Sequence, residues 1–246
     1  MEKQLAGKVA LITGASRGIG KAICLALAKE AATIVLAART IEKLQEAAEQ
    51  ITTLGGKAHI VVTELTEEES IKNLVKETGE KFGRLDILVN SAGVTHSAKL
   101  EQTKTEDWQR CIQVNARAPF ILCREALPLL RKAKAAYIIN IASVVGVKGY
   151  PLQSAYTASK HALRGMTIAL AEELSQEPNG SNIRVHLLCP GGVDTEMVQR
   201  VRPDIKKDEL IKPDEIAELV LYLVTHKGNA VIDELHIRRA ASSPWF

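Results

Sequence analysis

Six short runs rich in Val, Ile and Leu punctuate the chain: KVALIT at 8–13, TIVLAA at 33–38, AHIVVT at 58–63, LDILVN at 85–90, AYIINIA at 136–142 and IRVHLLC at 183–189. Each is strand-sized and bounded by turn-forming or polar residues. Between them lie segments of helical period at 20–30, 41–54, 67–82, 105–132 and 155–176. The strand runs are continuously apolar rather than alternating, as expected of strands buried on both faces. This alternation predicts a parallel sheet with right-handed crossovers and helices on both faces, a Rossmann-type doubly wound α/β fold. No linker-like stretch divides the chain, so residues 1–246 are expected to form a single domain. One long segment has no clear period: GGVDTEMVQRVRPDIKKDELIKP at 191–213. It is expected to be a loop, or short helices, on the substrate side of a site.

Composition narrows the function classes. The 246 residues are 46% hydrophobic and 25% charged, the make-up of an ordinary globular domain. The net charge of +3 is spread through both signs, so no nucleic-acid footprint is expected. No apolar run is long enough to span a membrane, and no signal-peptide pattern is read in MEKQLAGKVALITG. Cys24, Cys111, Cys123 and Cys189 are widely separated and lack CxxC spacing, which fits a reduced, cytoplasmic protein. No two of the six histidines have the helical spacing of a metal pair, so no metal dependence is expected.

In open α/β sheets, ligands bind beyond the carboxyl ends of the strands. Here those ends carry GASRGIG, Arg39, Asn90 with SAG, Ser143, and Pro190 with two glycines. TGASRGIG at 13–20 joins a strand to a helix. In that setting Gly14 allows a tight turn, and Gly18 and Gly20 allow a pyrophosphate to approach a helix N-terminus. A P-loop is excluded because position 15 is alanine and Ala22 stands where a magnesium-binding hydroxyl is needed. The second strand ends without a carboxylate; Ala38 and Arg39 stand there, with Arg17 nearby in the glycine loop. Two guanidiniums can clamp a 2′-phosphate, which favours NADP(H) over NAD(H). In SAYTASK at 154–160, Tyr156 and Lys160 are four apart and share one face of a helix. An ammonium beside a phenol favours the phenolate.

Together, TGASRGIG, NSAG at 90–93, Asn115, Ser143, YTASK at 156–160 and PGGVDT at 190–195 resemble the short-chain dehydrogenase/reductase family in order and spacing. The resemblance runs from about Lys8 to Thr195 and more loosely beyond. It implies that Tyr156 is the acid/base and that Lys160 binds the nicotinamide ribose and lowers the Tyr156 pKa. It further implies that Ser143 holds the substrate oxygen and that Asn115 positions a water linked to Lys160. It places cofactor contacts at Gly14, Ser16, Arg17, Gly18, Ile19, Gly20, Arg39, Glu64, Leu65, Asn90, Ala92, Gly93, Tyr156, Lys160, Pro190, Gly191, Val193 and Thr195. Glu64 stands where the family often has aspartate. The overall pattern is most similar to the 3-oxoacyl carrier-protein reductases, although Glu177 is acidic where a base that meets the carrier is usual.

The implied activity is NADPH-dependent reduction of a ketone, such as a 3-oxoacyl thioester or related small carbonyl, to a secondary alcohol. An alcohol or hydroxysteroid-type dehydrogenase working oxidatively, or a non-catalytic NADP(H)-sensing protein on the same fold, are the other readings. The resemblance also implies a homodimer or homotetramer. For Pro244, Trp245 and Phe246 two readings stand, a frayed tail or an apolar plug against a neighbouring subunit.

Overall fold

A computed structural model of the chain describes residues 3–177 and 181–244. Seven strands form one parallel sheet: β1 Val9–Thr13, β2 Thr33–Ala38, β3 Lys57–Val62, β4 Ile87–Asn90, β5 Ala136–Ile141, β6 Ile183–Pro190 and β7 Glu234–Ile237. Their order is β3-β2-β1-β4-β5-β6-β7, with every pair parallel. The order reverses between β1 and β4, so a crevice opens at that point.

Eight α-helices complete the layers: α1 Gly18–Lys29, α2 Ile41–Thr53, α3 Glu68–Phe82, α4 Thr105–Ile112, α5 Ala118–Leu130, α6 Ser154–Ser175, α7 Glu196–Val201 and α8 Pro213–Thr225. Alternate strand residues serve opposite cores. Ala10, Ile12, Ile34 and Leu36 pack with Ile23, Leu44 and Val220 from α1, α2 and α8. Leu11, Val35 and Leu88 pack with Leu74, Leu122 and Leu174 from α3, α5 and α6. The central strands β1, β2 and β4 are thus buried on both sides, which is why their sequences read as apolar runs.

Three features depart from the pattern expected of the sequence. A seventh strand, β7, pairs with the far side of β6, and α8 occupies the stretch just after the expected loop. The segment expected as one helix over 105–132 is α4 and α5 joined by a π turn over Gln113–Arg117, in which Ala118 N–H bonds to Gln113 O. Pro119 explains the widening: it has no N–H to give the carbonyl four residues back, and its ring crowds that carbonyl. The residue four back is Asn115.

Residues 191–213 form ordered structure rather than an open loop. Val193 bridges to Ile211, α7 follows Thr195, and a 3₁₀ turn spans Lys207–Glu209. Trp245 and Phe246 of the expected tail lie outside the described residues. Among the described residues no helix is long and apolar enough to cross a membrane.

At the amino end of the sheet, opposite the crevice, Asp86 is fully buried. It accepts bonds from Lys8 Nζ at 2.8 Å, Val9 N at 3.0 Å and Arg84 Nε at 3.1 Å. This knot ties β1 to the start of β4.

Candidate active site

One cleft of about 1760 Å³ runs along the carboxyl ends of the strands. Its walls include Gly14, Ser16, Arg17, Gly18, Ile19, Gly20, Arg39, Glu64, Leu65, Ala92 and Gly93. They also include Ser143, Tyr156, Lys160, Pro190, Gly191, Val193 and Thr195. Asn90 and Asn115 are the two expected site residues that do not line it.

At one end, the turn between β1 and α1 is shaped by backbone approach. Gly14 has φ +67°, and a Cβ there would lie 2.9 Å from Ala92 Cα. A Cβ on Gly20 would lie 2.3 Å from Gly14 O, so the helix can close on the turn only with glycine at both places. Thr13 supports the same corner: its Oγ1 accepts from Ser91 N at 3.2 Å and Ala92 N at 3.3 Å, tying the NSAG turn to β1. No side chain caps α1, so its first N–H groups remain available to an anion beside the glycine loop.

Arg17 and Arg39 both line this end, as their positions in the sequence predict, and both face carboxylates. Arg39 Nη1 lies 3.7 Å from Glu64 Oε2, and Arg17 is hydrogen-bonded to Glu196. Glu64 also accepts from Thr66 N at 3.0 Å, so one of its oxygens shapes the turn after β3. Lys43, in the first turn of α2, shares Glu196 at 3.9 Å. The sequence reading passes over Lys43, although its spacing of four from Arg39 is the available signal.

At the other end, α6 presents Tyr156 and Lys160. The turn into this helix is strained, with Leu152 at φ +64° in the left-handed region. Tyr156 shares the cleft wall with Ser143, which caps the 3₁₀ turn Val144–Gly146 by accepting from Val145 N at 3.3 Å. Lys160 is 3% exposed, and its Nζ donates to Ile141 O at 2.8 Å. A Cβ placed on Gly93 would lie 3.6 Å from Lys160 Nζ and 3.3 Å from Asn115 Oδ1, so the amine, the amide and the NSAG turn meet at one point.

In the protein alone, burial dominates the electrostatics of Tyr156 and Lys160. Burial pushes the Tyr156 phenol up to about 12, with the Ser143 hydrogen bond opposing it. Burial also pulls the Lys160 amine down from 10.5 to about 8. At both groups desolvation disfavours the charged form.

Two of the expected site residues, Asn90 and Asn115, are buried behind the cleft wall. Asn90 points into the interior, where its Nδ2 donates to Asn140 Oδ1 at 2.8 Å. Asn140 in turn donates to Thr167 Oγ1 at 2.8 Å. This chain links β4, β5 and α6 beneath the cleft, so the Asn90 side chain braces the floor. Sequence reading misses Asn140 because it lies within an apolar run. Asn115 is fully buried; its amide clasps Val94 by accepting from its N and donating to its O, each at 2.8 Å, and donates to Ser159 Oγ at 2.9 Å. Its side chain thus orients the strand-end loop, while Pro119 withholds a helical donor from its main-chain carbonyl.

Cys189, Glu234 and His236 bring three donor atoms within 4.8 Å of one another across β6 and β7. A search for helical spacing misses such a cross-strand group. Arg164 Nε donates to both Glu234 oxygens at 2.8 and 3.0 Å, so the carboxylate is already held by a cation.

The comparisons agree with this geometry. The family model for short chain dehydrogenases matches residues 8–206. The 3-oxoacyl-acyl-carrier-protein reductase FabG of Thermotoga maritima is 36% identical over 240 residues, covering 94% of this chain and 96% of that protein. A 3beta-hydroxysteroid dehydrogenase of Mediterraneibacter gnavus is 36% identical over 200 residues, covering 81% of this chain and 71% of that protein. Among solved structures, an alcohol dehydrogenase of the archaeon Thermococcus sibiricus complexed with 5-hydroxy-NADP superposes with a TM-score of 0.88 at 29% identity, covering 97% of this chain and 99% of that one. A metagenomic short-chain oxidoreductase in complex with NADP gives 0.83 at 35% identity, covering 97% of this chain and all of the other. A cleft with a glycine turn at one end and a Tyr–Lys helix at the other, matched along most of its length, places this chain in the short-chain dehydrogenase family.

Proposed function

We propose that this protein reduces a ketone to a secondary alcohol with NADPH, the substrate being a 3-oxoacyl thioester or a related small carbonyl. The observation that carries the reading is that Tyr156 and Ser143 both line the cleft wall, with the buried Lys160 amine one helical turn along. The residues present fit the cofactor: the uncapped α1 N-terminus and the space that glycine leaves at positions 14 and 20 suit a pyrophosphate, and Arg17 and Arg39 suit a 2′-phosphate. NADPH supplies the hydride when bound.

The chain's own residues handle the oxygen and the proton. With its pKa at about 12, Tyr156 keeps its proton at neutral pH and can donate it to a carbonyl oxygen becoming an alkoxide. Ser143 adds a second hydrogen bond to that oxygen as negative charge develops. Lys160, at about 8, is still mostly an ammonium at pH 7 and stabilises the phenolate left behind. Likeness to the Thermotoga reductase supports a 3-oxoacyl substrate. The carrier is a separate matter: Glu177 is paired with Arg131 at 2.6 Å, so the acidic residue is held at the end of α6.

The test is NADPH oxidation against a panel of ketones and 3-oxoacyl thioesters, with Tyr156→Phe alongside. The variant is expected to lose about 10²-fold or more in turnover while its NADPH dissociation constant stays within a few-fold. Silence across the panel, or a variant as fast as the parent, would overturn the assignment.

A further inference from the structure

The phosphate end of the cleft contains a carboxylate where an anionic ligand must bind. Glu196, the first residue of α7, reaches back 179 positions in sequence to Arg17, which its Oε2 engages. Its Oε1 lies 3.9 Å from Lys43 Nζ. Glu196 is held there by its neighbour. Thr195 caps α7 by accepting from Val198 N, and its methyl lies so close to Gly18 that a Cβ on that glycine would be 3.1 Å away. The start of α7 therefore rests against the glycine loop, and Glu196 is aimed at the cations beside it.

We infer that Glu196 is a built-in competitor of the cofactor's 2′-phosphate, and that Lys43 is a third cation of the phosphate cradle with Arg17 and Arg39. The inference rests on the NADP(H) reading above. A phosphate carries more charge than a carboxylate and offers three acceptor oxygens, so it prevails for Arg17 and Lys43. It does so against an occupied site and a nearby like charge, which lowers its affinity. The Arg17 and Glu196 side chains are 60% and 63% exposed, so solvent screens the contest and keeps its effect modest. Glu196 thereby sets how strongly the chain discriminates between phosphorylated and unphosphorylated ribose. Because Met197 and Val198 of α7 also line the cleft, displacing Glu196 frees the element that borders the substrate side.

The experiment is titration calorimetry of the full chain with 2′,5′-ADP and with 5′-AMP, in the parent, Glu196→Gln, Lys43→Met and the double variant. No turnover is needed for this readout. Glu196→Gln is expected to bind 2′,5′-ADP about threefold to tenfold tighter, with a smaller gain for 5′-AMP. Lys43→Met is expected to weaken 2′,5′-ADP selectively, and the gain from Glu196→Gln should shrink in its background. Unchanged or weaker 2′,5′-ADP binding by Glu196→Gln, or an equal gain for both nucleotides, overturns the inference alone. A parent chain that binds the two nucleotides equally overturns the NADP(H) reading and the inference with it.

Discussion

Replacing Lys160 with methionine should make the protein more stable at neutral pH while abolishing its chemistry. The amine is 3% exposed, and burial lowers its pKa from 10.5 to about 8. Between those values the unfolded chain holds a proton that the folded chain has released, so stability rises with pH through that window. At pH 7 both states are largely protonated, and the folded protein bears the full cost of a buried ammonium. A gap of about 2.5 pH units corresponds to about 3 kcal/mol. Methionine keeps the length and apolar body of the side chain but loses the bond to Ile141 O, which offsets about 1 kcal/mol. The net expectation is about 2 kcal/mol of added stability at pH 7, or roughly 4–8 °C in melting temperature for a chain of this size. Urea unfolding of both proteins at pH 7.0 and pH 9.5 measures it. By the higher pH the parent recovers about 2 kcal/mol, and the advantage should shrink to near zero. A variant less stable than the parent at pH 7, or an advantage that does not change with pH, would refute the reasoning that burial dominates at this residue.

Two further substitutions separate the ends of the sheet. Gly20→Ala puts a methyl 2.3 Å from Gly14 O and 2.7 Å from Gly14 C, both backbone atoms, so the glycine turn must shift by about 1 Å to restore ordinary contact. Fluorescence titration should show NADPH binding weakened at least about tenfold, since hydrogen-bond donors displaced that far no longer meet an anion; binding within twofold of the parent would contradict this. Asp86→Ala removes the acceptor shared by Lys8, Val9 N and Arg84 at the opposite end. It should cost about 2–4 kcal/mol in urea unfolding, chiefly by stranding a buried N–H, while the NADPH dissociation constant stays unchanged.

The parts of this molecule that the sequence makes legible are those whose physics is local. Six strands announce themselves by their Val, Ile and Leu content, which in the central strands follows from burial on both faces. The seventh, ELHI, is an edge strand of four residues, partly exposed and carrying Glu234 and His236, so no run marks it. α8 has Pro213 at its start and acids in its first turn, the usual marks of a helix beginning. Those marks merge with the charged stretch before it, which hides the boundary. The glycine turn and the Tyr156–Lys160 pair are visible because spacing along one strand–helix junction and one helix face defines them. Contacts set by tertiary placement are not. The inward turn of Asn90 depends on Asn140 and Thr167, and the reach of Glu196 to Arg17 depends on α7 folding back over the glycine loop.

The protonation states follow from where the two reactive groups sit as much as from what they are. Their spacing alone suggests a phenol acidified by a neighbouring ammonium, yet both groups are shifted against their charged forms, as desolvation demands. At pH 7 the outcome is still a useful pair. Lys160, near 8, retains most of its charge, and Tyr156, near 12, retains its proton. A carbonyl substrate finds a proton donor already charged with its proton. The same burial that makes Lys160 costly to the fold therefore leaves the unliganded cleft with a protonated phenol.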